Sequence, residues 1–142
     1  MTPLNALWNV VFFQRHRNDD PDESVPGMVY LNECPDSIQQ EMFAILHAVA
    51  DASPPSFRNS NVWTAMNGKM AGWYGARKKG LKLLYRVFCL VERSAGGLPG
   101  PSVVVVTGMT KKNETAFSEE DYARVRALGD EYKRRTPRNI AR

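Results

Sequence analysis

Four side chains in the second half of the chain have the types and spacing to act on phosphate: Arg77, Arg86, Lys111 and Lys112. An arginine guanidinium is a planar fork that meets two phosphate oxygens at once, and a lysine supplies a point charge. Fixed cations of this kind stabilise negative charge as it builds on phosphoryl oxygens, usually a large contribution to catalysis. A lysine or tyrosine crowded by cations can have a lowered pKa and act as a base. Lys78, Lys79 and Lys82 lie close by in sequence and suit general attraction of phosphate, and Tyr74 could stack on a base beside them.

Each of these residues also has a plain structural reading. Arg86 shares its strand face with Lys82, Leu84, Phe88 and Leu90. A cation among apolar neighbours is costly unless an anion meets it. That anion is either a ligand or a carboxylate such as Asp121 or Glu131, in which case Arg86 only holds the fold. Lys111 and Lys112 could be ordinary turn residues, with Arg77 in a similar position. Trp73 reads as core, and Tyr74 could simply pack on a helix. His47 falls opposite the apolar stripe of its helix, and His16 is remote in sequence from the basic set. Neither suits catalysis. No Ser-His-Asp arrangement, phosphate loop or metal-ligand spacing is visible.

The charge distribution points the same way as the cations. The 142 residues carry a formal net charge of +4, unevenly shared. Residues 1–57 hold two basic and eight acidic side chains, and residues 58–142 hold seventeen basic and seven acidic. Such asymmetry suggests a polyanionic partner for the later part. Length and composition fit one globular domain with a real core, taken as about 7–135 with a basic tail at 136–142. No apolar run is long enough to span a bilayer, and no leader is read at the start. Cys34 and Cys89 match no metal or redox spacing and fit a reducing, cytoplasmic setting.

The elements that must position the cations read as follows. Leu7 to Phe13 is dense in aromatic and β-branched residues, predicting a strand buried on both faces. A polar loop over 17–23 precedes a helical hairpin. Its first helix spans Ser24 to Glu33 with Pro26 in the first turn, and Cys34-Pro35 breaks it. Asp36 or Ser37 then caps the second helix, whose apolar face is Ile38, Met42, Ile45, Leu46 and Val49. Ser53-Pro54-Pro55-Ser56 ends it. Residues 57–70 give no clear period. Strands follow over Ala71–Arg77, Leu81–Val91 and Ser102–Met109, with Lys78-Lys79-Gly80 as a turn. The run Val103 to Val106 predicts a central strand covered on both faces. A helix from Ser118 to about Arg135 closes the chain, with Tyr122, Val125, Leu128 and Tyr132 as its buried stripe. The expected class is α+β, a mainly antiparallel sheet with helices packed on it.

Several of these segments resemble the RelE/ParE toxin superfamily, in its HigB-like, phage-associated branch. The stretch Trp63 to Arg77 is similar to that family's entry strand, although Gly75 stands where an acidic residue is usual. Leu84-Tyr85-Arg86-Val87-Phe88 resembles its Tyr-Arg strand, and Val105 to Lys112 resembles its strand followed by a Lys-Lys turn. The helix from Ser118 matches in place and in its Asp-Tyr-Ala-Arg run. The resemblance implies a RelE-like twisted sheet with an N-terminal helical hairpin and a C-terminal helix. It further implies a ribosome-dependent mRNA endonuclease that needs no metal or cofactor, and a cognate antitoxin, a small helix-turn-helix protein, that blocks the basic surface. In that chemistry the ribose 2′-hydroxyl attacks the adjacent phosphate. Other branches of the superfamily act on gyrase, and some members are non-catalytic binders of RNA or of a partner protein.

Overall fold

The computed structural model describes residues 8–54, 57 and 59–141. It is an α+β fold: one five-stranded mixed sheet and three α-helices. The strands are β1 (Asn9–Phe12), β2 (Trp63–Ala65), β3 (Trp73–Lys79), β4 (Leu83–Glu92) and β5 (Ser102–Lys112), and the helices are α1 (Pro26–Glu33), α2 (Asp36–Asp51) and α3 (Glu119–Lys133). Across the sheet the order is β1-β5-β4-β3-β2. The last four strands pair antiparallel, while β1 runs parallel to β5, with Val10 opposite Val103.

The sheet separates two apolar cores. On one face Leu31, Met42, Leu46 and Val49 of α1 and α2 cover Ala76, Val87, Cys89, Val103 and Val105. On the other, Val125 and Tyr132 of α3 join Phe117 over Trp73, Phe88, Val104 and Val106. The valine run of β5 is therefore fully buried from both sides, as a continuous β-branched segment should be. The α3 layer closes tightly because Gly129 carries no side chain: a β-carbon there would stand 2.3 Å from the Trp73 ring. Ser118 caps α3, its Oγ accepting from the Asp121 amide at 3.1 Å while the Asp121 carboxylate accepts from the Ser118 amide at 2.9 Å.

Several expectations need correction. The sheet is mainly antiparallel, as expected, but mixed, because β1 enters beside β5 in the same direction. β1 is half-buried, not buried on both faces, because it lies at the end of the strand order; Leu7 lies outside the described residues. The helices do not form an N-terminal hairpin. They follow β1, as expected, but pack mainly on the sheet, α1 against β5 and α2 against β3, rather than on each other as a hairpin would. No side chain caps α2: Asp36 is already helical and Pro35 holds the cap position. Pro55 and Ser56, expected to end α2, lie outside the described residues; the helix closes at Asp51, with Ala52 at its C-cap. The β3–β4 turn falls at Gly80 to Lys82, so Lys78 and Lys79 are strand residues.

Residues 138–141 are not a loose tail. They run beside β1, where the Ala141 amide donates to the Phe12 carbonyl at 2.8 Å and the Gln14 amide to the Asn139 carbonyl at 3.1 Å. Ile140 bridges to Phe13 and is buried. Part of the late basic charge is spent here, where Arg135 pairs with Asp19 at 2.9 Å and Arg138 with Glu92 at 3.1 Å, while Arg15 from the early part pairs with Glu131 at 2.9 Å.

Candidate functional site

Side chains alternate across a strand, so which cations meet is decided by register. Arg77 stands directly opposite Arg86 in the β3–β4 ladder, and Lys79 and Lys111 both stand opposite Leu84. A bulge in β5 completes the set. Cys89 pairs with Val105 but Phe88 pairs with Thr107, leaving one extra residue, Val106. That extra residue reverses the alternation, so Lys111 points to the α3 face although Val103 and Val105 point away from it. Arg77, Lys79, Arg86 and Lys111 thus share one face of the sheet, on three adjacent strands.

The other expected site residues lie elsewhere. Lys112 and Lys78 point to the opposite face, where Lys78 pairs with Glu41 of α2 at 3.4 Å. Tyr74 is also on that face, stacked on Trp63 with ring centroids 5.1 Å apart. Lys82 sits in the exposed β3–β4 turn, its carbonyl accepting from the Asn113 amide. His47 is exposed on α2, and the His16 Nδ1 accepts from the Asn18 amide in the loop after β1.

Arg86 is the centre of the cluster. It is half-buried, and its Nε is fully enclosed without a hydrogen-bond partner. It makes no ion pair among the described residues. Both carboxylates considered for it are engaged otherwise, Asp121 with Ser118 and Arg124 and Glu131 with Arg15. Burial is the main cause holding the Arg86 pKa below the ordinary arginine value; Tyr122 pulls the other way, and Arg77 adds to the lowering. Its guanidinium lies 5.5 Å from the centre of the Phe117 ring, and so does the Lys111 ammonium. Burial, then the charges of Arg86, Arg77 and Lys79, hold the Lys111 pKa below that of a free lysine. Lys111 donates to the Thr115 carbonyl, and Arg77 Nε donates to the Asn61 carbonyl at 2.9 Å.

Beside Arg86 opens a cavity of about 390 Å³. It is lined by residues within 64–70, among them Thr64, Met66, Lys69 and Met70, by Gly75 of β3 and Arg86 of β4, and by Glu119 and Tyr122 of α3. Sequence reasoning assigned Tyr122 to the buried stripe of α3 and gave Phe117 and Glu119 no part in a site. The signal was present in their positions around the Ser118 cap, which points the first turn of α3 at the end of β4. Comparison with family models, with curated proteins and with solved structures found no match. No group of histidine, cysteine, aspartate or glutamate able to hold a metal occurs among the described residues. None of the described helices is long and apolar enough to cross a membrane.

Proposed function

We propose that the chain is a RelE-like toxin of a type II toxin–antitoxin system, a cytoplasmic endoribonuclease that cuts mRNA on the ribosome. The observation that carries this reading is the arginine at its centre: Arg86, without a carboxylate partner, faces Arg77 and Lys111 beside an open cavity. Buried cations are normally paired, and an unpaired one marks a place where an anion is expected.

In this reading Arg86 and Arg77 hold the non-bridging oxygens of one phosphate and stabilise their growing charge. Lys111, whose ammonium is disfavoured by burial and by its cationic neighbours, is placed to accept the proton of the 2′-hydroxyl. The 2′-oxygen bonds to phosphorus, the bond to the 5′-oxygen breaks, and that oxygen takes a proton from water. The products are a 2′,3′-cyclic phosphate and a 5′-hydroxyl. Lys79 attracts the backbone, and an antitoxin acts by covering this face.

Both histidines lie away from the cluster, which favours a second reading, a non-catalytic member of the fold that binds RNA or a partner protein. Induced expression in a bacterial host separates the two. The catalytic reading expects growth arrest and new mRNA ends bearing 5′-hydroxyls within translated frames. Arrest without new ends supports the binder, and unimpaired growth with intact mRNA overturns the toxin. An adjacent reading frame for a small helix-turn-helix protein further supports the pair.

A further inference from the structure

We propose that the cavity beside Arg86 is a pocket for one unpaired guanine base, with Glu119 reading its Watson–Crick edge. This rests on the reading of the basic face as an RNA site and names the base that the site selects.

The cavity has the volume of a small-molecule pocket, and its lining mixes apolar surface from Met66 and Met70 with polar groups, among them Lys69, Arg86, Glu119 and Tyr122. Met66, Met70 and Tyr122 all line it, so a flat ring entering it meets polarisable sulfur side chains and an aromatic one. Gly75 gives it depth, since without a side chain there the Arg86 side chain lies directly beside it. Arg86, which makes no ion pair among the described residues, lines the same cavity, so the phosphate attached to a seated base finds a cation there.

Glu119 is the informative residue. A carboxylate at the rim of a site for a polyanion repels the ligand unless it does something for it. One oxygen, Oε1, accepts from Arg126 and lies 3.8 Å from Lys69, while Oε2 has no partner among the described residues. An ionised carboxylate only accepts hydrogen bonds. It therefore suits a base edge that presents two adjacent donors. Guanine offers N1–H and N2–H side by side, whereas adenine, cytosine and uracil each present a single donor on that edge.

The experiment titrates the whole protein with 3′-GMP, 3′-AMP, 3′-CMP, 3′-UMP and inorganic phosphate, reading the Met66 and Met70 methyl and Gly75 amide NMR signals. The guanine nucleotide is expected to bind about tenfold more tightly than the other three, the discrimination typical of one bidentate base contact. Glu119→Gln, at an exposed position that leaves the Ser118 cap in place, should bind all four alike. Thr64→Trp, on the face of β2 that Gly75 shares, fills the cavity and should abolish the preference while phosphate still binds. Equal binding of the four nucleotides by the wild type, or a guanine preference that survives Glu119→Gln, overturns the proposal while leaving the RNA site standing. Failure of every nucleotide and of phosphate to move any of these signals overturns both.

Discussion

Arg86 lies across Gly75: a β-carbon at position 75 would stand 3.2 Å from the Arg86 Cδ and 3.4 Å from its Nε. The resemblance would put an acidic residue at position 75, whereas glycine there offers Arg86 no carboxylate. Restoring it should silence the site. In Gly75→Glu the new carboxylate can reach the guanidinium, and RNA affinity should fall at least about tenfold, the scale of losing one hydrogen-bonded charge contact. Gly75→Ala is the control, since Arg86 has only to shift by a few tenths of an ångström. Full RNA affinity in Gly75→Glu, measured by filter binding, would remove Arg86 from the phosphate contact.

Arg86→Ala should abolish toxicity without unfolding the chain. No ion pair is lost with the side chain, so stability should stay within about 1 kcal/mol of wild type, as for substitutions that break no paired network. Loss of a donor that stabilises transition-state charge costs about 3 kcal/mol, roughly a hundredfold in rate. Arg86→Lys should recover only part of that, because an ammonium lacks the fork. Thermal melts run beside a growth assay decide it: a folded alanine variant that still arrests growth contradicts the catalytic role.

Lys111 should titrate below a free lysine, because burial and the charges of Arg86, Arg77 and Lys79 all disfavour its ammonium. The folded chain then holds this proton less tightly than the unfolded chain. Between the folded Lys111 value and the ordinary lysine value, about 10.4, the unfolded state binds more protons, so this group's contribution to stability rises with pH through that window. Removing Arg86 or Arg77 should move the titration back up. Lysine Cε chemical shifts followed against pH in wild type, Arg86→Ala and Arg77→Ala test this, and a Lys111 titration that ignores both substitutions contradicts the shared cluster.

The parts legible in the sequence were those whose period or composition left one solution. The valine run could only be a doubly covered strand, and α3 announced its own start through Ser118 and Asp121. β2 was illegible because three residues followed by a 3-10 turn at Gly68–Met70 are too short to show a period. The candidate site was half legible. Residue type marked Arg77, Arg86 and Lys111, but their convergence depends on the Val106 bulge, which no residue in β5 signals. The same alternation sends Lys112 and Lys78 to the far face, and it could be applied only once the turn was known to fall at Gly80 to Lys82.

The segment after α3 should be essential to stability and irrelevant to RNA contact. Ile140 is 5% exposed and seated against Phe13, so Ile140→Ala should cost about 2–4 kcal/mol, the usual range for truncating a buried aliphatic side chain. Arg138 adds a second tie. It pairs with Glu92 at 3.1 Å, lies 5.1 Å from the Tyr132 ring, and donates to the Lys133 and Arg135 carbonyls at 2.6 and 3.1 Å. It thus occupies acceptors at the end of α3 that would otherwise lack partners. The backbone of 139–141 also covers the outer side of β1, and an uncovered strand edge invites pairing with another chain. A chain ending at Thr136 should therefore melt lower than Ile140→Ala and elute partly as oligomers. β1 lies at the opposite end of the strand order from β2 and β3, so Ile140→Ala should bind RNA as wild type does at temperatures where it is folded. Denaturant melts, size-exclusion chromatography and filter binding on the three proteins test each part. A chain ending at Thr136 that melts with the wild type and stays monomeric would show that the segment merely rests on β1.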